Sequence, residues 1–259
     1  MLYRLSQRLI CIDRSIHRPM QLPSPLQTAT LKRRYKRFLA DVETAAGQSL
    51  TLHCPNTGSM KNCQQPGSRV WYTMSDNPKR KYPGTWHIVE VEGQHLVGIN
   101  TSLANNLVAE AIEARRVPAL KAYDTLRREV AYGEQRRSRI DLLLNSSQPG
   151  NPPCYVEIKN VSLGESDGTG LFPDAITKRG QKHLTDLMEE AGRGNRALLF
   201  FCVQHSGIEC VRPADAIDPD YGRLLREAAA AGVGMLAFSA NFDLEGGKIT
   251  LARQLPVQL

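Results

Sequence analysis

Asp141, Glu157 and Lys159 are the residues of this 259-residue chain whose types and spacing best suit chemistry. In Arg139-Ile140-Asp141-Leu142-Leu143-Leu144, strand alternation sets Ile140, Leu142 and Leu144 on one face and Arg139, Asp141 and Leu143 on the other. In Tyr155-Val156-Glu157-Ile158-Lys159 it turns Val156 and Ile158 inward and places Glu157 with Lys159 opposite. If the two strands pair, Asp141 converges on Glu157, and Lys159 stands ~6–7 Å along the strand from Glu157. Two carboxylates flanked by backbone carbonyls make an oxygen site for Mg²⁺ or Mn²⁺. Such a cation lowers the pKa of a bound water and steadies negative charge developing on a phosphate. Lys159 is suited to orient that water or to stabilise the transition state. An acid-x-Lys run alone also describes the solvated face of an edge strand; the isolated acid on the preceding strand favours a site. Glu110, beside Leu107 and Ala114 on the inward stripe of the preceding helix, is either a further metal ligand or the cap of a neighbouring backbone group.

The elements that must position these residues follow from hydrophobic period. Residues 102–115 carry Leu103, Leu107, Ala111 and Ala114 at helical spacing. Strands are predicted at 126–132, 139–144 and 154–159, then a helix at 175–191 with Ile176, Leu184, Leu187, Met188 and Ala191 on one face. Residues 197–203 form a continuous apolar run of the buried-strand kind, followed by a helix at 221–231 and a strand at 233–238. Helix, three strands, helix, strand is the order of a mixed α/β core. Upstream the pattern differs. Short strands at 32–42, 49–53, 69–74, 86–92 and 95–99 are separated by turn chemistry such as Pro55-Asn56-Thr57-Gly58 and Gln65-Pro66-Gly67. Five strands in this length suit an OB-type barrel. Residues 21–30, rich in Pro, Ser and Thr, form the lead-in. The expected organisation is an extension at 1–23, an OB-like nucleic-acid-binding domain at 24–98 and an α/β domain at 99–259. The extension is arginine-rich with one acid, Asp13, and lacks the apolar centre of a secretory signal. Met20 is an alternative initiator.

The formal net charge is +7, which favours an anionic partner, nucleic acid or an acidic membrane surface. No stretch approaches the ~18 apolar residues of a membrane span, and no basic amphipathic helix suits a membrane surface. Lys32, Arg33, Arg34, Lys36 and Arg37 enclose Tyr35 close to Phe38. Cations interleaved with aromatics hold a phosphate backbone and stack bases; a charged strand edge has the same composition. Lys79, Arg80 and Lys81 extend the basic character in a loop. In the helix at 175–191, Lys178, Gln181 and Lys182 fall away from the Leu184–Leu187 stripe, where they either reach a phosphate or meet solvent. His183 and His205 have no partner at catalytic spacing and read as structural. Six cysteines form no C-x-x-C pair or zinc pattern, so free thiols and a reducing compartment are expected.

The set Asp141, Glu157-Ile158-Lys159 resembles the PD-(D/E)XK nuclease superfamily, although Asp141 lacks the preceding proline. A closer resemblance is carried by residues 31–42, by Cys54-Pro55-Asn56-Thr57-Gly58-Ser59-Met60 and by Gly98-Ile99-Asn100-Thr101. Residues 155–163 and the run from Phe172-Pro173-Asp174 to His183 carry it further. These are similar to the sugar fermentation stimulation protein A (SfsA) family, from about residue 30 to the end. The resemblance implies an N-terminal OB-like barrel, a C-terminal restriction-endonuclease-like α/β domain, nucleic-acid binding (DNA or RNA) and a cytoplasmic setting. The function expected is metal-dependent phosphodiester hydrolysis with Mg²⁺ or Mn²⁺. The alternative is a non-enzymatic, sequence-nonspecific DNA-binding regulator of sugar (maltose) metabolism. No helix-turn-helix with a convincing recognition helix supports operator reading.

Overall fold

A computed structural model describes residues 10–11, 19–133 and 138–259. The chain opens with two short strands, β1 (Ile10–Cys11) and β2 (Met20–Gln21). Six strands follow: β3 (Gln27–Tyr35), β4 (Leu39–Thr44), β5 (Ser49–His53), β6 (Arg69–Met74), β7 (Gly84–Val91) and β8 (His95–Gly98). Helix α1 (Ala104–Glu113) leads to β9 (Thr125–Tyr132), β10 (Ser138–Asn145) and β11 (Cys154–Val161). After two small strands, β12 (Leu163–Gly164) and β13 (Thr169–Phe172), come α2 (Lys178–Gly192), β14 (Arg196–Val203) and β15 (Cys210–Pro213). Helix α3 (Pro219–Ala230), β16 (Gly234–Asp243) and β17 (Lys248–Leu255) complete it.

Strands β3 to β7 close on themselves. The sheet runs β5-β4-β3-β6-β7-β8, and β5 also pairs in parallel with β7 through Leu52–Gly84 and His53–Thr85. The result is a five-stranded OB barrel around Leu31, Val42, Leu52, Trp86 and Val89, all buried. The expected single strand at 32–42 is a hairpin, β3 and β4, turning at residues 36–38, and β3 already begins within the predicted lead-in.

The second sheet has the order β1-β9-β10-β11-β14-β16-β17-β2, with β11, β14 and β16 parallel. Its middle strands are apolar on both faces. Leu142, Val156, Phe200 and Phe238 pack with Leu107, Val108 and Ile112 of α1. On the other face Leu199, Phe201 and Ala237 pack with Leu184 and Leu187 of α2 and Leu225 of α3. The chain is thus mixed α/β, with helices on both sides of one sheet beside a barrel. Most of the predicted 1–23 extension lies outside the described residues. Within it, Met20–Gln21 pairs with β17, and Leu22 packs in the core under α1. No helix among the described residues is long and apolar enough to cross a membrane.

The two parts are joined beyond the covalent link. Gly98 donates to the Gln204 carbonyl at 2.8 Å, Val97 bridges to His205, and Leu96 exchanges bonds with Ser206. His205 and His87 are buried, His87 with Thr73 Oγ1 at 2.9 Å and Asn100 beside it. Burial pushes both imidazoles down to about 4, and the charge of His95 adds to the effect at His205. Each therefore stays neutral in the fold while the unfolded chain takes up protons below its ordinary value near 6.5. Their stabilising effect is complete above about pH 6.5 and is lost as pH falls from there toward 4. Urea unfolding is expected to show a loss on the order of 1 kcal/mol per pH unit for each imidazole across that window. The loss should shrink in a His87→Gln/His205→Gln variant.

Candidate functional site

Strands β10 and β11 pair in register from Leu144–Cys154 to Leu142–Val156, and there the ladder stops. One residue further, the Ile158 N–H donates to Asp141 Oδ2 at 2.7 Å, so a side chain takes the place of the backbone acceptor. Opposite Asp141 on β9 is Glu129, by the register of the flanking pairs, with φ +53°. A non-glycine residue in that left-handed region costs about 1–2 kcal/mol. The irregularity also splits the predicted apolar face. Leu142 and Leu144 pack toward α1, while Ile140 packs on the far side with Val130 and Leu143.

Asp141 is held at its other oxygen by Asn105 of α1, whose Nδ2 donates to Oδ1 at 2.8 Å. Glu157 is 3% exposed. Its Oε1 receives Lys159 Nζ at 2.7 Å and meets His183 Nδ1 of α2, while its Oε2 is buried without a partner. Lys159 Nζ also lies 3.3 Å from His183 Nδ1. Burial and the negative charge of Glu157 push the Asp141 carboxyl up to about 6. Burial acts the same way on Glu157, but the hydrogen bond from His183 and the charge and hydrogen bond of Lys159 outweigh it and hold that carboxyl below its ordinary value. The three predicted residues thus come together as one charged cluster.

Two residues of the cluster escaped the sequence reading. His183, read as structural, contacts Glu157 across 26 positions of sequence. Its signal was available: His183 stands one residue before Leu184 and four before Leu187, on the inward stripe, and a polar group buried there requires a partner. Asn105 offered no such pattern. Glu110 is placed elsewhere, its Oε2 paired with Arg116. Five residues beyond Asn105 a helix has turned about 140° away.

The cluster opens onto a cleft between the two parts of the molecule. Its main recess, of about 420 Å³, is lined by Asn56, Thr57 and Gly58 on the barrel side and by Thr101, Asn105, Lys159 and Thr177 on the other. A neighbouring recess of about 340 Å³ reaches Asp141 and Arg128 and shares Thr101 and Asn105 with the first. The barrel loop that forms one wall is braced from both sides. Asp174 Oδ2 accepts from Ser59 Oγ at 3.1 Å and from the Met60 N–H at 3.2 Å. A Cβ on Gly58 would stand 2.7 Å from that same carboxylate, so any other residue there would have to push Asp174 aside. Thr101 Oγ1 donates to the Pro55 carbonyl at 3.2 Å.

From within the barrel, Arg34 donates to the carbonyls of Arg37, Asn56 and Gly58 at 2.7, 3.0 and 2.9 Å, and to that of Ser59 at 3.3 Å. Arg34 is therefore a brace, not the free phosphate contact expected of it. Arg33 pairs with Asp41 at 2.8 Å and lies over the Tyr35 ring, whose hydroxyl also donates to Asp41. Lys36, Arg37 and Phe38 stand exposed at the hairpin tip. On α2, Lys178 is exposed, with Asp220 at 3.4 Å. Gln181 is buried against Asp218 at 2.8 Å instead of facing away from the core.

Residues 33–99 match the model described as the SfsA N-terminal OB domain, and residues 102–246 the sugar fermentation stimulation protein RE domain. A sugar fermentation stimulation protein homolog of Thioalkalivibrio sulfidiphilus is 54% identical over 240 residues, covering 93% of this chain and 98% of that protein. The chain belongs to the sugar fermentation stimulation protein family. A family homolog from Geobacter metallireducens is likewise 54% identical, covering 93% of this chain and all of its own. The solved structure of Pyrococcus furiosus SfsA in complex with Ca²⁺ matches with a TM-score of 0.81 at 27% identity, over 93% of this chain and 100% of that one.

Losing the Arg34 brace should strand several carbonyls at once. Arg34→Met is expected to lower stability by about 2–4 kcal/mol in urea unfolding. Arg33→Met, removing an exposed ion pair, should leave the unfolding midpoint close to that of the parent.

Proposed function

We propose that the protein is a nucleic-acid-binding, metal-dependent phosphodiesterase whose working residues are Asp141, Glu157 and Lys159. The observation that carries this reading is the pairing of a buried, unpartnered carboxylate oxygen, Glu157 Oε2, with a second carboxylate pushed up to about 6 by burial and by its neighbour. Two acids sharing one corner in this way hold negative potential that a divalent cation relieves. Among the described residues no group of three or more His, Cys, Asp or Glu could hold a metal ion. The donor set fits Mg²⁺ or Mn²⁺ all the same, because Mg²⁺ binds through one or two carboxylates and keeps several waters. That a relative of the same fold, Pyrococcus furiosus SfsA, was solved in complex with Ca²⁺ supports the reading. When bound, such a cation supplies a water of lowered pKa and positive charge opposite the phosphate.

The chain's own groups do the remainder. Asn105 and the Ile158 N–H fix both oxygens of Asp141, and His183 fixes Oε1 of Glu157. Lys159, held by Glu157 yet lining the cleft, points an ammonium where a phosphate would enter. There it stabilises charge developing on the phosphoryl oxygens. The OB barrel and the exposed Lys36, Arg37 and Phe38 supply a surface for a nucleic-acid strand. Glu110, tied to Arg116, is given no part. The regulator reading draws on the family name and on no arrangement of side chains.

Labelled single- and double-stranded DNA and RNA, incubated with Mg²⁺, Mn²⁺ or EDTA, test the proposal. Metal-dependent cleavage is expected, reduced at least about a hundredfold by Glu157→Gln, Asp141→Asn or Lys159→Ala. Cleavage that survives in both carboxylate variants would contradict it.

A further inference from the structure

The main recess carries information about the substrate beyond the chemistry of the cluster. Its lining is largely uncharged: Asn56, Thr57, Thr101, Asn160 and Thr177 bring amides and hydroxyls to it, and among the described residues Lys159 is the one cation that lines it. Three of these side chains are held in place, where Asn56 Oδ1 accepts from Gly58, Asn160 Oδ1 from Gln204 and Thr177 Oγ1 from Gly180. The acid in the lining, Asp174, is engaged by Ser59 and Met60. Surfaces that grip a duplex do so with clusters of Lys and Arg along the phosphates. Amides and hydroxyls in a confined space instead suit base edges and sugar hydroxyls, which are accessible only when a base is unpaired. At about 420 Å³ the recess has the size of a small-ligand site and cannot admit a double helix. Phe172, half-buried at its wall and packed edge-on against Phe201 and Tyr221, gives the recess a fixed apolar surface against which a base can rest.

The walls are set. Arg34, Asp174 and Thr101 fix the barrel loop, so the recess does not widen by a simple side-chain rotation. It shares Thr101 and Asn105 with the Asp141 recess and is itself lined by Lys159, which puts its occupant near the carboxylate pair. The exposed hairpin tip, linked to the same loop by Arg34 through the Arg37 and Gly58 carbonyls, adds two cations and Phe38 on the barrel side of the loop. We propose that the recess receives one unpaired nucleotide flanking the phosphate to be cut, so that the substrate is single-stranded or frayed nucleic acid and not intact duplex. This rests on the proposed phosphodiesterase reading for the meaning of the cut. The recognition itself is independent of cleavage.

Fluorescence anisotropy in EDTA separates the two. Labelled DNA and RNA would be offered to the full chain as single strands, as duplexes with an unpaired tail and as blunt duplexes. Unpaired and tailed strands are expected to bind at least about tenfold more tightly than blunt duplex, in keeping with the worth of one stacked base. Thr57→Trp, which fills the recess from its exposed lip, should cost at least about tenfold on unpaired strands. The DNA and RNA arms identify which sugar is accepted. Equal affinity for blunt and unpaired strands, or a folded Thr57→Trp protein that binds single strands as the parent does, would overturn the inference. Preference without cleavage would overturn the proposed function alone, and cleavage without preference the recess alone.

Discussion

Two carboxylates share one largely buried corner of the sheet, and every neighbouring element is arranged to make that tolerable. An ionised acid out of water is strongly disfavoured unless it is paired or hydrogen-bonded. Glu157 meets that condition with Lys159 from its own strand and His183 from α2. Asp141 meets it with the Ile158 N–H and with Asn105 from α1. The cost falls on the sheet: the β10–β11 ladder ends early, and Glu129 adopts a left-handed backbone opposite the break. Strain of this kind gathers where a structure holds a functional geometry. Because α1 and α2 pack on opposite faces of the same strands, the site is clamped from both sides by elements that the core already fixes.

A second constraint acts across the cleft. The loop from Cys54 to Met60 has little regular structure of its own, yet Arg34 reaches it from the barrel and Asp174 from the other domain. The planar guanidinium forks onto four carbonyls at once, more than the three donors of a lysine ammonium could serve. Backbone bracing of this sort holds a recess in one shape before a ligand arrives and lowers the ordering cost of binding. It also explains a division among the basic residues of the first hairpin. Arg34 faces inward and is structural, whereas Lys36 and Arg37 occupy the turn and remain exposed.

Much of the α/β core, and the nearness of Asp141, Glu157 and Lys159, was legible because period and residue type agree there. The run 197–203 is apolar throughout and becomes a strand buried on both faces, β14. The acid-x-Lys of β11 does lie beside the acid of β10. The misreadings come from contacts between residues far apart in sequence and from turns without turn residues. Residues 32–42 looked like one strand because Lys36, Arg37 and Phe38 carry no turn signal. Lys36 and Arg37 nevertheless take φ +50° and +65°, values usually left to glycine or asparagine. Gln181 looked solvent-facing until α3 supplied Asp218 as its partner. Strand β17, which pairs with the preceding β16 as far as Asp243–Lys248, and the small sheet of β12, β13 and β15 were not anticipated; within that small sheet only the β13–β15 pairing spans a long interval of chain.

Calorimetric titration of Mn²⁺ into the full chain tests most directly whether Asp141 and Glu157 form a cation site. Uptake of about one ion is expected. Affinity should fall at least about tenfold in Glu157→Gln and in Asp141→Asn, and should be unchanged in Glu110→Gln. A parent protein that takes up no ion, or carboxylate variants that bind it as tightly as the parent, would contradict the site.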